Sequence, residues 1–231
     1  MKPVKNILIS GAAALLSVIT ALVIFYGHIT AAAFSTLSDT DISYKQVRAC
    51  SINELIFKGL SVIQRKDGMG VSAVNGSVKF ALIAERRLEL AADFALNDVR
   101  FIRAGSPKES SMNSIDGLIA APFSSFCKYA TVSGNISAIK NGMRIRNFLA
   151  SSDTIRFSLD GTLTEDNVID ASITIYFADS LIGNISPELS SMILKGDSQG
   201  WRSLSFRVQG DLAKPSINVT GKLFRLNIGL K

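Results

Sequence analysis

The chain has 231 residues, 47% of them hydrophobic and 19% charged, with a formal net charge of +6. That length suits one domain of ordinary size, or one domain plus a membrane segment. The basic residues fall in short groups such as Arg65-Lys66, Glu85-Arg86-Arg87 and Arg144-Ile145-Arg146, without the aromatic-interleaved stripe that single-stranded nucleic acid needs, which argues against nucleic acid as a partner.

At the N-terminus no formally charged side chain occurs between Lys5 and Asp39, and Ile7 to Tyr26 is almost wholly apolar. A helix of that length, at about 1.5 Å per residue, reaches roughly 30 Å, the thickness of a bilayer's hydrocarbon core. Lys2 and Lys5 precede the span, whereas Asp39 and Asp41 follow it, which places the tip in the cytoplasm and the bulk of the chain on the far side. Ala31-Ala32-Ala33 offers a signal-peptidase site, but signal h-regions run about 7–15 residues, so the longer span favours an uncleaved anchor. The expected organisation is a cytoplasmic tip and transmembrane anchor over residues 1–34 and an exported β domain over 35–231.

Beyond the anchor the apolar period is two. Val78, Phe80 and Leu82 alternate with more polar or smaller residues, as do Leu88 to Leu96, Ile155 to Leu159 and Ile169 to Phe177. Each segment predicts a strand with one apolar face. Turn chemistry stands between them at Lys66-Asp67-Gly68, Asn141-Gly142 and Glu165-Asp166-Asn167. At Asn75-Gly76 and Asp160-Gly161 the alternation runs through the glycine, so a bulge or bend competes with a turn. Asn-x-Ser/Thr triplets at Asn75, Asn135, Asn184 and Asn218 read as strand ends and not as glycan sites. The stretch 208–221, with Gly210 and Pro215, reads as a last hairpin closing the sheet.

Two stretches break the rhythm. Residues 106–130 carry Ile115, Leu118, Ile119, Phe123 and Phe126 at spacings that suit a short amphipathic helix, interrupted or kinked by Pro122. Ser186, Pro187 and Glu188 are helix-start signals that predict a helix from Pro187 to about Lys195. The sum is a mainly β chain, a meandering antiparallel sheet with one or two short helices on its apolar face. The inward residues are expected to be Phe80, Leu82, Leu90, Phe94, Phe157, Leu159, Ile173, Ile175, Phe206 and Val208, a candidate lipid-contacting face whose alternative is core packed under the helices.

Catalytic chemistry has little to work with. The one histidine, His28, lies at the end of the apolar span, so the exported domain has no imidazole base. The sequence shows no His/Cys/Asp/Glu spacing suited to a metal, no cofactor motif and no phosphate loop, since Gly68-Met69-Gly70 sits between strands. Acids recur in pairs, Asp93 with Asp98 and Asp160 with Asp166, in solvent-facing strand and turn contexts. The expectation is a protein that is not an enzyme, with no catalytic, cofactor or metal site. Cys50 and Cys127 are too few for a disulfide framework, and the sequence leaves open whether they pair.

The order of elements is more specific than any one motif. An anchor is followed by "ISYKQVRACSINELIFKGLSVIQ", then "VSGNISAIKNGMRIRNFLASSDTIRFSLDGTLTEDNVIDASITIYF", and the chain closes with "GWRSLSFRVQGDLAKPSINV". Over roughly residues 42–221 this resembles the C-terminal region of bacterial AsmA-like envelope proteins, with Asn141-Gly142, Gly161, Asp170, Gly210 and Pro215 at the matching places. The chain departs from the family pattern in being short. The accessory protein N of type II secretion is a related short form and the nearest alternative.

The resemblance implies a twisted, curved antiparallel sheet forming an open groove, set on the periplasmic side of a bacterial inner membrane. It implies a role in lipid handling or outer-membrane biogenesis, with phospholipid acyl chains and other envelope proteins, met through sheet edges, as partners. The alternative is a secretion-accessory or structural envelope protein without lipid-transfer activity. About twelve strands at about 4.8 Å would stack to roughly 55–60 Å, less than a periplasm's width, so one copy would not bridge two membranes.

Overall fold

The computed structural model describes residues 40–66, 68, 70–84, 88–102, 114–124, 127–183, 185–196, 200–211, 214–221 and 225–229. The expected anchor, with its apolar span from Ile7 to Tyr26, lies outside them, and among the described residues no helix is long and apolar enough to cross a membrane.

Among the described residues thirteen strands follow in order: β1 (Thr40–Ser43), β2 (Gln46–Ser51), β3 (Glu54–Gln64), β4 (Gly70–Ala84), β5 (Leu88–Ile102), β6 (Lys128–Ile139), β7 (Gly142–Ser151), β8 (Ile155–Thr164), β9 (Val168–Ala178), β10 (Lys195–Gly196), β11 (Trp201–Asp211), β12 (Ser216–Thr220) and β13 (Arg225–Gly229). They form one open antiparallel sheet in the order β1-β3-β4-β5-β6-β7-β8-β9-β11-β12-β13, with β2 also on β3 and β10 also on β11. Nearly every strand pairs with its sequence neighbour, as the run of short connections predicted. Among the described residues three short α-helices and a 3-10 turn interrupt the meander: α1 (Ile115–Ala120) followed by the 3-10 turn Ala121–Phe123, α2 (Asp179–Ile182) and α3 (Pro187–Ile193).

The turns divide as their backbone requires. Asn141-Gly142 is a hairpin, with Gly142 at φ +143°, and the turn after β8 ends on Asn167 at φ +59°. Asn75-Gly76 and Asp160-Gly161 are not turns, because both lie inside strands. Their glycines serve close approach instead. A Cβ on Gly76 would come within 2.5 Å of Leu96 Cδ2, and one on Gly161 within 2.7 Å of the Ala171 Cβ. Asn75, Asn135 and Asn218 likewise lie within strands, not at strand ends, while Asn184 is outside the described residues.

The helices are shorter than predicted. Among the described residues of 106–130 only Ile115–Ala120 is α-helical, started by Ser114, whose hydroxyl accepts from the Gly117 N–H at 3.0 Å. Pro122 causes no mid-helix kink; it sits in the first turn of the 3-10 segment, where a missing N–H costs nothing. Phe126 is outside the described residues. Helix α3 starts at Pro187 as predicted but stops at Ile193, because Lys195–Gly196 pair with β11.

The 208–221 hairpin is not the end of the sheet. Gly210, at φ +100°, stays within β11 opposite Ile169, Pro215 immediately precedes β12, and β13 pairs with the free side of β12. A strand with only Leu226 and Ile228 alternating is too brief to register as a period.

Ion pairs decorate the polar face. Arg207 donates two hydrogen bonds to Asp170, at 2.8 and 2.7 Å. These bonds hold the Asp170 carboxyl below its ordinary value of 3.8. A carboxyl depressed on folding adds stability above its unfolded pKa, and that increment is lost as pH falls through the folded value. Arg207→Gln is therefore expected to raise the Asp170 titration midpoint toward the ordinary value, as read by NMR. An unchanged midpoint would refute the pairing.

Candidate functional site

The meander lays apolar residues in rows that run across the strands. One row follows the register Phe57, Gly76, Leu96, Val132, Ala150, Phe157, Ile175, Leu204. A second, parallel row joins Leu55, Val78, Phe94 and Gly134 and resumes across a bulge in β7 at Phe148, Leu159, Ile173, Phe206 and Val219. A third joins Phe80, Ala92, Ile136, Ile145, Gly161, Ala171, Val208 and Ile217.

The bulge is built by Asn147, at φ +52°, whose N–H donates to the Asp160 carboxylate at 2.8 Å. Gly134 makes room beside it. A Cβ there would lie 3.0 Å from the Phe94 ring and 3.2 Å from the Phe148 Cα, and the two rings meet at 6.0 Å.

Coverage falls steadily from the first row to the third. Val132, Ala150, Phe157, Ile175 and Leu204 are all buried, in one cluster with Leu118, Ala121, Ile182 and Ile193 of the helical segments and Ile185 and Leu194 of the links beside them. Phe123 of the 3-10 turn packs its ring 5.4 Å from Phe157. In the second row Phe206 and Val219 are buried while Phe94, Phe148, Leu159 and Ile173 are half-buried. In the third, Ile136 is 38% exposed, and beside it Met143 is 41% exposed. Here no helix among the described residues covers the sheet. Phe80, Ala92, Ile136, Ala138, Met143 and Leu163 line a concavity of about 440 Å³, with Thr164 and Glu165 at its polar rim.

The predicted inward residues are largely brought together. Phe94, Phe157, Ile173, Ile175, Phe206 and Val208 lie in or against the main cluster, and Leu159 shares their face by alternation. Phe80 packs with a smaller cluster around Leu55, Phe57 and Leu60. The backbones of Leu82 and Leu90 pair across β4 and β5, and their side chains lie outside the described residues. Phe157, Ile175 and Phe206 are thus core under the helices, whereas Phe80 faces the open end. Ile136, Ala138, Met143 and Leu163 were missed from sequence. The Asn141-Gly142 turn signal marks strands on both sides of it, but Gly134 and Asn135 in β6 and the bulge at Asn147 in β7 break the simple alternation that would assign their residues to one face.

Under the covered end, the Tyr129 hydroxyl donates to the Pro122 carbonyl at 2.8 Å, and burial pushes its pKa well up, with Cys127 beside it adding to the effect. Burial also raises the Cys127 thiol, partly offset by its bonds to Ser124 and Tyr129. Both cysteines are free: Cys50 is exposed and Cys127 buried. A thiol reagent should therefore modify one cysteine promptly in the folded protein and the second only after denaturation. Zero reactive thiols would mean a disulfide instead.

The paired acids do not converge. Asp93 accepts from Asn135 at 2.8 Å, Asp98 meets Lys128 at 3.0 Å and Asp160 holds the β7 bulge. Among the described residues no group of three or more His, Cys, Asp or Glu is placed to hold a metal. No family model, characterised protein or solved structure matches the chain.

Proposed function

We propose that this is a membrane-anchored bacterial envelope protein of the AsmA-like type, non-enzymatic, that handles lipid on the open end of its apolar sheet face. On this reading the anchor holds the domain on the periplasmic side of the inner membrane, and phospholipid acyl chains are the ligand. The supporting observation is the gradient of cover, with one apolar face packed under helices at one end and left to solvent around Ile136 and Met143 at the other. Apolar area that folding leaves uncovered gains free energy from contact with hydrocarbon, about 0.8 kcal/mol per buried methylene. The sheet is eleven strands across, roughly 50 Å at about 4.8 Å spacing. One copy on this scale serves as a membrane-proximal segment, with β13 and the β1–β2 side as edges for pairing with other envelope proteins.

The test is a photo-cross-linking side chain placed at Met143 on the apolar face, and separately at Arg207 on the polar face, in intact cells. Lipid adducts at 143 and few at 207 are expected by mass spectrometry. Equal labelling at both positions would defeat the proposal. Protein adducts alone at 143 would favour the secretion-accessory or structural alternative.

A further inference from the structure

The polar side of the sheet carries a second concavity, away from the apolar rows. It lies where a crease crosses strands β3 to β6. Gly59 in β3 has φ +61° and Asp98 in β5 has φ +54°, and the inward positions step from Phe57 to Leu60 and from Leu96 to Val99. The register of β3 with β4 and of β4 with β5 is the same on both sides of the step, so both partners of each pair flip together. On the polar side the crease opens a space of about 460 Å³ lined by Lys45, Lys58, Asp98, Arg100 and Lys128, with the facing hydroxyl residues Ser61 and Ser72.

Four basic side chains against one acid leave this concavity at +3. Asp98 is engaged by Lys128 at 3.0 Å, while Lys45, Lys58 and Arg100 make no ion pair among the described residues. Arg100 and Lys128 are direct cross-strand partners, an arrangement of like charge that destabilises a sheet. Lys45 is also held in place. Its N–H donates to the Lys58 carbonyl at 2.9 Å, and its stem lies so close over Gly59 that a Cβ there would approach Lys45 Cγ to 2.8 Å. Beyond the Lys128–Asp98 pair, folding gains nothing from gathering the remaining cations, and sites that break local rules of stability are where function is expected.

We infer that this concavity binds a phosphate-bearing anion. A phosphate monoester carries about −1.5 to −2 charge at neutral pH and offers several acceptor oxygens, which suits ammonium, guanidinium and hydroxyl donors together better than a single carboxylate does. The site lies on the face opposite the apolar rows, so it stands or falls separately from the lipid-handling reading.

The experiment is calorimetric titration of the full chain, in a non-ionic detergent at about 0.15 M salt, with inorganic pyrophosphate. Saturable binding is expected, weakened at least about tenfold in K58Q/R100Q and within about twofold of the parent in R144Q/R146Q. The second variant removes the same charge from the polar face outside the concavity. Micelles doped with phosphatidylglycerol or with phosphatidylcholine then identify the source. Displacement of pyrophosphate by the first lipid alone assigns a lipid head group, and displacement by neither assigns a free anion; both results keep the phosphate site. Absence of saturable binding, or equal weakening in the two variants, would overturn it.

Discussion

Replacing Phe157 with alanine is expected to destabilise the fold by about 3–5 kcal/mol, the cost of removing a fully buried aromatic side chain and leaving a cavity. Phe157 is 1% exposed and is the centre of an aromatic cluster, with ring centroids of Phe148 at 5.2 Å, Phe123 at 5.4 Å, Tyr129 at 5.8 Å and Phe101 at 6.3 Å. Those rings come from β5, β6, β7 and the 3-10 turn, so no single neighbour can collapse into the space. The loss also undoes the seat of Phe123, and with it the cover over the first apolar row. Urea unfolding followed by the fluorescence of Trp201, which carries Arg156 stacked 4.0 Å over its ring, reads the change. Leu159→Ala, two residues along the same strand and half-buried, should cost clearly less. A loss below about 1 kcal/mol for Phe157→Ala would mean that the helices do not seal this end of the sheet.

The contrast between Phe157 and Leu159 marks what the sequence could and could not say. Alternation at Ile155, Phe157 and Leu159 identifies a strand and its apolar face, because side-chain direction has a period of two whatever the tertiary setting. It carries no information on what lies above that face. Cover comes from Leu118, Ala121, Ile182 and Ile193, supplied by helical pieces only a few residues long, and from Ile185 in the link between two of them. The spacing of Ile115, Leu118 and Ile119 announced α1 and the capping chemistry at Pro187 announced α3, whereas α2 is a single turn with no periodicity to detect.

The glycines and asparagines show the same limit from the other side. Asn-Gly is a hairpin signal because both residues tolerate positive φ, and at Asn141-Gly142 the structure uses it so. At Asn75-Gly76 the glycine is there because Leu96 needs the space, a contact between strands that local sequence cannot express. The same ambiguity recurs inside β6 and β7. Gly134, which makes room between Phe94 and Phe148, and Asn147, which forms the bulge, both look like loop residues when read alone. A hairpin at Asn141-Gly142 marks the two strands, but the register shifts inside them decide which residues reach the open end of the apolar face.

Ile136→Glu at that open end is expected to leave folding within about 1 kcal/mol of the parent, yet to weaken capture of an acyl-chain probe by more than about tenfold. The two effects separate because of water. Ile136 is already 38% exposed, so a carboxylate there stays solvated in the free protein. An acyl chain lying along Phe80, Ile136 and Met143 would strip that water, and a desolvated charge with no partner is far costlier than a lost methylene contact. The lining offers no compensating cation, since its one charged member is Glu165, which adds repulsion. Thr131→Glu supplies the control. It places the same charge on the same strand but at an exposed position of the polar face, and should leave the probe unaffected. A fluorescent fatty acid titrated into the parent and both variants makes the comparison, with urea midpoints measured in parallel. Equal binding by Ile136→Glu and the parent would mean that hydrocarbon does not use the uncovered end. The apolar rows would then be core that the helices leave unfinished, and the lipid-handling reading would fail with them.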